Sequence, residues 1–172
     1  MFFHAALGSL NRLILCNIML QKGRMDRDQI HIRVAEIADV PIITTLSGQL
    51  GYESSDLQTE KRLKTLIKAK ENAVFVATQS TSEVIGWIHV FITHRVESDS
   101  FGEIGGLVVS KNFRGQGIGK KLLFAAQEWL RQNEIGKIRV RSRTERKKGH
   151  KFYFKMGFLK EKEQVVFGKD IQ

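Results

Sequence analysis

The chain has 172 residues, enough for one domain with its own hydrophobic core, and a formal net charge of +10. Its single cysteine, Cys16, excludes an internal disulfide framework and a cysteine-based zinc site, and predicts a reducing, cytoplasmic compartment. Eight lysines and arginines and one acid lie within 137–151. This charge favours a phosphate-bearing partner such as a nucleotide, a coenzyme or a nucleic acid, and a solvated surface is the simpler alternative.

The first 26 residues differ in pattern from the remainder. Their apolar run, 13–20, is interrupted by Asn17 and is shorter than the roughly 20 residues of a membrane span. No small-residue cleavage site follows it, which argues against a signal peptide. We expect residues 1–26 to be an extension, with translation starting at Met25, and a single domain over 27–172. An intact Met1 terminus in natively expressed protein would contradict the Met25 start.

Alternating apolar residues predict a first strand at 30–34. Asp39 is expected to cap a helix that ends at Gly51. Ser55 and Gln58 stand at the spacing of a capping box, so a second helix is predicted to begin there.

Three strands are predicted next, at 73–77, 84–93 and 101–109. The first two should form a hairpin across a turn at 80–83. Gly102, Gly105 and Gly106 interrupt the third strand, a pattern that often marks a bulge or the close approach of a ligand.

The C-terminal part of the chain continues the alternation of helices and strands. A helix is predicted over 117–132, a strand at 137–141, a helix that stops at Gly157, and a last strand at 164–167. The order βααβββαβαβ predicts an α/β fold whose sheet has both parallel and antiparallel neighbours.

A glycine-rich loop joins the strand at 101–109 to the helix after it. Gly115, Gly117 and Gly119 let the backbone come close to a ligand, and the helix start offers free N–H groups and a positive dipole end, which suits a phosphate or pyrophosphate. A Walker loop is excluded because Lys120 is followed by another lysine instead of Ser or Thr. A Rossmann fingerprint fails because the third glycine is too close and the loop comes late in the domain.

The pattern Arg114-x-x-Gly117-x-Gly119 after an apolar strand resembles the acetyl-CoA loop of the GNAT superfamily of N-acetyltransferases. The segment 152–158, which reads Phe-Tyr-Phe-Lys-Met-Gly-Phe, resembles the second signature of that family. The resemblance extends from about residue 30 to 168. It implies a GNAT-type mixed, mostly antiparallel, twisted central sheet flanked by helices. It also implies direct transfer of an acetyl group from acetyl-CoA to an amine, with no metal.

By this resemblance, backbone N–H groups of the loop hold the pyrophosphate of the coenzyme, and the edge of the preceding strand pairs with its pantetheine arm. The coenzyme-binding residues implied are Leu107, Val108, Val109, Arg114, Gly115, Gln116, Gly117, Ile118, Gly119 and Lys120.

Two further residues are implied to be catalytic. Tyr153 matches the tyrosine whose hydroxyl can protonate the departing thiolate. Glu103 stands eleven residues before Arg114, the spacing at which some members carry a catalytic glutamate that deprotonates the amine. A water molecule, His89 or His94 is the alternative base, although a strand histidine is more often structural.

The acceptor is less defined than the coenzyme. Tyr52, Glu53 and Asp56 fall in the region that walls the acceptor site in the family, and two acids suit a cationic amine such as an aminoglycoside, a polyamine or lysine. Arg141 would suit an acidic acceptor instead. We expect a primary amine of a small molecule ahead of a protein amine, with no membrane partner; a homodimer is left open.

Two functions of other classes remain as alternatives. One is an acetyl-CoA sensor without catalysis. The other is a nucleic-acid-binding module built on 137–151, against which the scarcity of interleaved aromatic residues argues.

Overall fold

In the computed structural model, which describes residues 29–79 and 83–171, five strands form one sheet in chain order. They are β1 (His31–Val34), β2 (Asn72–Thr78), β3 (Val84–Thr93), β4 (Phe101–Val109) and β5 (Ile138–Val140). The β1–β2, β2–β3 and β3–β4 pairs are antiparallel, and the β4–β5 pair is parallel. The mixed, mostly antiparallel sheet and its β2–β3 hairpin are therefore confirmed.

The sheet is accompanied by α-helices of nine to fifteen residues. They are α1 (Val40–Gly48), α2 (Asp56–Lys68), α3 (Ile118–Gln132) and α4 (Lys147–Lys155). Short 3₁₀ turns at Ile37–Asp39 and Lys111–Phe113 precede α1 and the glycine loop. Among the described residues, no helix combines the length and the apolar character that crossing a membrane requires.

The two faces of the sheet are covered by different helices. Leu46 of α1 and Leu63 of α2 belong to one buried cluster with Val76 and Val108 of the sheet. The opposite face packs on α3, where Leu130 occupies the space that a side chain on Gly102 would need. This layering leaves the loop between β4 and α3 at one end of the sheet.

The chain divides after Val140 into two compact units. The first contains the sheet together with α1, α2 and α3. The second begins at Arg141 and contains α4 and the residues that follow it. The predicted extension at 1–26 lies outside the described residues.

The predicted last strand at 164–167 is wrong, because up to residue 171 no strand follows α4. Val165, Val166 and Phe167 are 77%, 80% and 90% exposed. A strand is stable only with a hydrogen-bonded partner and an apolar face to bury. This apolar run is short and stands between charged segments, so it offers little area to drive pairing.

The expectation that Asp39 caps α1 with its side chain also needs correction. Its carboxylate accepts no cap hydrogen bond from α1. Instead it accepts the backbone N–H of Glu36 at 2.8 Å and two hydrogen bonds from Arg33, each of 2.7 Å. The capping box of α2 is confirmed, since Ser55 Oγ accepts from Gln58 N at 3.3 Å and Gln58 Oε1 accepts from Ser55 N at 3.0 Å.

Candidate active site

Two glycines shape the loop between β4 and α3. Gly115 and Gly117 have φ of +83° and +78°, in the left-handed region that side-chain-bearing residues rarely adopt. A Cβ built on either one would meet nothing within 4 Å. Backbone conformation therefore requires glycine here, and the space in front of both residues is open.

The first turn of α3 is favourable for an anion. Gly117 is its N-cap and provides no side chain to bond the first N–H groups, and the turn contains no acid. Ile118, only 1% exposed, anchors the turn in the core. Gln116 and Lys120 are exposed beside it, while Gly119 is partly buried. The predicted phosphate-binding residues thus lie together around one open helix start.

Arg114 connects the loop to the strand and to α1. Its Nε donates to Val109 O at 3.0 Å, and its Nη2 donates to Gln49 Oε1 at 3.5 Å. Gln49 Oε1 also accepts the backbone N–H of Lys111 at 3.3 Å. Gln49 was not anticipated from the sequence, and no local pattern identifies a contact across this separation.

The second half of β4 has an open edge. β5 pairs with β4 only from Gly102 to Ile104, and the β3–β4 register shifts at the next residue, Gly105, which forms a bulge. From Gly106 to Val109 the strand pairs with β3 but with no second strand among the described residues. At Leu107, Val108 and Val109, β4 therefore has a backbone edge that no second strand covers among the described residues, although Val109 O on it accepts from Arg114 Nε. This edge leads directly into the glycine loop.

Aromatic rings explain the two consecutive glycines at the bulge. A Cβ on Gly106 would lie 2.7 Å from Trp87 Cη2, and one on Gly105 would lie 2.6 Å from His89 Nδ1. Both rings occupy the space that side chains at these positions would need. The predicted bulge is confirmed.

The candidate bases lie on the same face of the sheet. Glu103 is 8% exposed and stands opposite Phe91 of β3 and Arg139 of β5. His89, two residues from Phe91, is only partly buried and donates from Nε2 to Asn72 Oδ1 at 3.0 Å. Burial lowers the pKa of His89 below its ordinary 6.5, so the ring is neutral at pH 7.

His94 has a different environment from His89. It follows the end of β3, is exposed, and its Nδ1 lies 2.7 Å from Ser100 Oγ. It is therefore away from the bulge and from the free edge of β4.

The predicted acceptor segment lies in the turn between α1 and α2, where Tyr52, Glu53 and Asp56 are exposed. Leu50, at the start of this turn, has its Cδ1 4.0 Å from a Cβ position on Gly106. The turn therefore begins beside the bulge. Arg141 is exposed at the start of the second unit.

Tyr153 lies on α4 in the second unit and is held by two aromatic rings. Phe152 and Phe158 make edge contacts with it, each with a centroid separation of 5.3 Å. Gly157, with φ of +84°, turns the chain back so that Phe158 N donates to Tyr153 O at 3.0 Å. Burial raises the pKa of Tyr153 to about 12, against a smaller opposite effect of Arg146, so the hydroxyl is protonated at neutral pH.

No group of His, Cys, Asp or Glu in the described part of the chain is arranged to hold a metal ion. The polar groups at the glycine loop are backbone N–H donors and cations, which suit phosphate oxygens.

Comparisons with known proteins identify the family. The Acetyltransferase (GNAT) family matches residues 43–158. The aminoglycoside N(6')-acetyltransferase type 1 of Stenotrophomonas maltophilia is 32% identical over 140 residues, covering 79% of this chain and 90% of that protein.

Solved structures share the fold. An aminoglycoside 6'-N-acetyltransferase from Acinetobacter baumannii superposes with a TM-score of 0.75 at 17% identity, over 84% of this chain and 100% of that one. A glucosamine-6-phosphate N-acetyltransferase from Arabidopsis thaliana gives 0.71 at 24% identity, over 83% and 100%. With the family match covering more than half of its length, the chain belongs to the GNAT acetyltransferase family and is an acetyl-CoA-dependent N-acetyltransferase.

Proposed function

We propose that this enzyme transfers the acetyl group of acetyl-CoA to a primary amine of a small polycation, with the 6'-amine of an aminoglycoside as the first candidate. The observation that supports it most is the free backbone edge of β4, which runs into an open, acid-free helix start. The relative from Stenotrophomonas maltophilia, named as an aminoglycoside N(6')-acetyltransferase, supports the acceptor class.

Acetyl-CoA supplies an acetyl thioester and, in its pyrophosphate, an anion that fits the loop. The backbone N–H groups of Gly115, Gln116, Gly117, Ile118, Gly119 and Lys120 would hold the pyrophosphate. The edge of β4 at Leu107, Val108 and Val109, which no second strand covers among the described residues, would hydrogen-bond the amides of the pantetheine arm through the groups other than Val109 O. Arg114 would keep loop and strand in register through its bond to Val109 O.

Tyr153 is proposed to give its hydroxyl proton to the departing sulfur. Its raised pKa, about 12, keeps the hydroxyl protonated at neutral pH, so it can donate to the sulfur as negative charge develops there. Glu103, favoured by its motif spacing, and His89 are the two side chains proposed to receive the proton of the amine. Both lie on the face of the sheet beside the bulge.

The acceptor is proposed to bind along the α1–α2 turn. Glu53 and Asp56 are exposed carboxylates that would attract a polycation, and Tyr52 offers a ring and a hydroxyl to a sugar. Arg141 would instead favour an amine that carries an acid, so anionic amines belong in the test.

The experiment follows thiol release from acetyl-CoA with two aminoglycosides that differ only in an amine or a hydroxyl at the 6' carbon. We expect turnover with the amine alone, and product mass raised by one acetyl group. Polyamines, lysine and anionic amino acids complete the panel. Turnover confined to anionic amines would overturn the acceptor class, and binding of acetyl-CoA without turnover on any amine would overturn the transfer to small amines.

A further inference from the structure

We propose that Nδ1 of His89 accepts the proton of the acceptor ammonium group, with Asn72 as the positioning residue that fixes the tautomer of the ring. The inference rests on the proposed function, since it names the base of that reaction. It assigns Glu103 to positioning of the cationic amine instead of proton transfer.

The tautomer follows from one contact. Asn72 Oδ1 can only accept, so the 3.0 Å contact requires the proton of the neutral His89 ring to be on Nε2. Nδ1 then carries the lone pair. This is the nitrogen that faces Gly105, at the bulge where β4 separates from β5.

His89 and Glu103 differ in their position along the length of β4. Glu103 lies where β4 is still paired on both edges, and it is 8% exposed. His89 stands opposite Gly106, one residue before Leu107, where the edge proposed to bind the pantetheine arm begins. Gly105 itself is exposed. In register along β4, His89 therefore lies nearer than Glu103 to the edge that no second strand covers among the described residues.

The proton balance of the step is simple. The ammonium N–H proton moves to His89 Nδ1, and the freed nitrogen lone pair forms a C–N bond with the thioester carbonyl carbon. The C–S bond breaks, and the sulfur leaves with its electron pair and takes the hydroxyl proton of Tyr153, the proposed acid. The acylated nitrogen loses its second proton, which returns to the Tyr153 oxygen through solvent, so that the products are the neutral amide and the free thiol. His89 then returns its proton to solvent, which its lowered pKa favours at neutral pH.

The first test is His89→Gln, measured with acetyl-CoA saturating and the 6'-amine substrate varied. The Gln amide can still donate to Asn72 but has no titrating nitrogen. We expect kcat/KM to fall about 10²- to 10⁴-fold, with the Kd of acetyl-CoA unchanged. The fall of kcat/KM at low pH, which is the acidic limb of its pH profile, should disappear. His94→Gln is the matched control, since His94 is exposed and its Nδ1 hydrogen-bonds Ser100 Oγ. This variant should keep the wild-type pH profile of kcat/KM.

The second test, Asn72→Asp, keeps the ring and the size of its partner. A carboxylate in place of the amide oxygen raises the pKa of His89, so the acidic limb should move about one unit or more toward higher pH. NMR titration of the histidine ring nitrogens, without substrate, should show the same displacement. If His89→Gln lowers the thermal stability, Asn72→Asp still tests the proposal, because it keeps the histidine ring.

The outcomes are distinguishable. An NMR displacement with an unmoved kinetic limb, or a His89→Gln enzyme that keeps the limb and the rate within twofold, overturns the assignment. Loss of the limb in Glu103→Gln would then make Glu103 the base. A wild-type enzyme that releases no thiol with any amine removes the proposed function itself.

Discussion

Arg114 Nε donates a hydrogen bond of 3.0 Å to Val109 O, which joins the glycine loop to the last residue of β4. The same guanidinium reaches Gln49 Oε1 at 3.5 Å, and Gln49 holds the backbone of Lys111. The loop start, the free strand edge and the end of α1 are thus coupled through one side chain. Arg114 therefore positions the loop through its hydrogen bonds, in addition to supplying a positive charge.

Arg114→Gln should weaken acetyl-CoA binding about tenfold, because a hydrogen bond to a charged group contributes about 1.5–3 kcal/mol and part of it is lost to solvent at this exposed site. Isothermal titration calorimetry measures the Kd. Arg131→Gln makes the same charge change in the last turn of α3, about 20 Å along the helix, and should leave the Kd within twofold. Equal effects of the two variants would show that only net charge matters.

Gly117→Ala separates backbone strain from ligand space. Alanine at this positive φ should reduce the free energy of unfolding by about 1–2 kcal/mol. Its methyl group would also extend into the open space proposed for the pyrophosphate. Gly51→Ala is the control, because Gly51 has φ of +81° and equally open surroundings. Urea melts should give similar losses for both variants, whereas the Kd of acetyl-CoA should rise at least tenfold only for Gly117→Ala. Unchanged binding in Gly117→Ala would place the pyrophosphate elsewhere.

The glycine loop and the capping box of α2 could be predicted because each depends on a few neighbouring residues. Gly117 requires a left-handed backbone at the start of a helix, and Ser55 and Gln58 bond each other across three positions. The positions of the five observed strands along the chain followed from alternation and turn residues for the same reason.

The partners of the site could not be predicted. Gln49 and Arg114 are 65 residues apart, and Asn72 and His89 are 17 residues apart, so each pair meets only through the register of the folded sheet and its helices. Asp39 was expected to cap α1 because its position fits that role, but the longer-range bond to Arg33 takes the carboxylate instead. The run at 164–167 has strand propensity without a ladder partner, and propensity alone does not make a strand.

Asp39 should make stability depend on pH. Burial alone would raise its pKa, but hydrogen bonds from Arg33 and from Glu36 N outweigh it and lower the pKa below 3.8. A lowered folded-state pKa contributes stability above the unfolded value of 3.8, and that stability is lost as pH falls toward the folded value. Asp39→Asn should therefore reduce the free energy of unfolding by about 1–3 kcal/mol at pH 7, and by progressively less below pH about 4.

Urea melts at a series of pH values test this dependence. Glu60→Gln is the control, since Glu60 pairs with Lys64 on an exposed helix face and should change stability by less than about 0.5 kcal/mol. A difference between wild type and Asp39→Asn that stays constant from pH 7 to pH 3 would show that the carboxylate acts through packing and not through its charge.

Tyr153→Phe tests the proposed acid while keeping its aromatic neighbours. The edge contacts with Phe152 and Phe158 need only the ring, so the melting temperature should change little. Without the hydroxyl proton, the sulfur leaves unprotonated, and kcat should fall about 10²-fold while the Kd of acetyl-CoA stays within twofold. Because the pKa of Tyr153 is about 12, the wild-type rate should show no loss from its ionisation up to pH about 10.

Tyr52→Phe offers a contrast, since a residue of the acceptor segment should change KM for the amine more than kcat. A Tyr153→Phe enzyme with wild-type kcat would mean that the thiolate departs without help from this side chain.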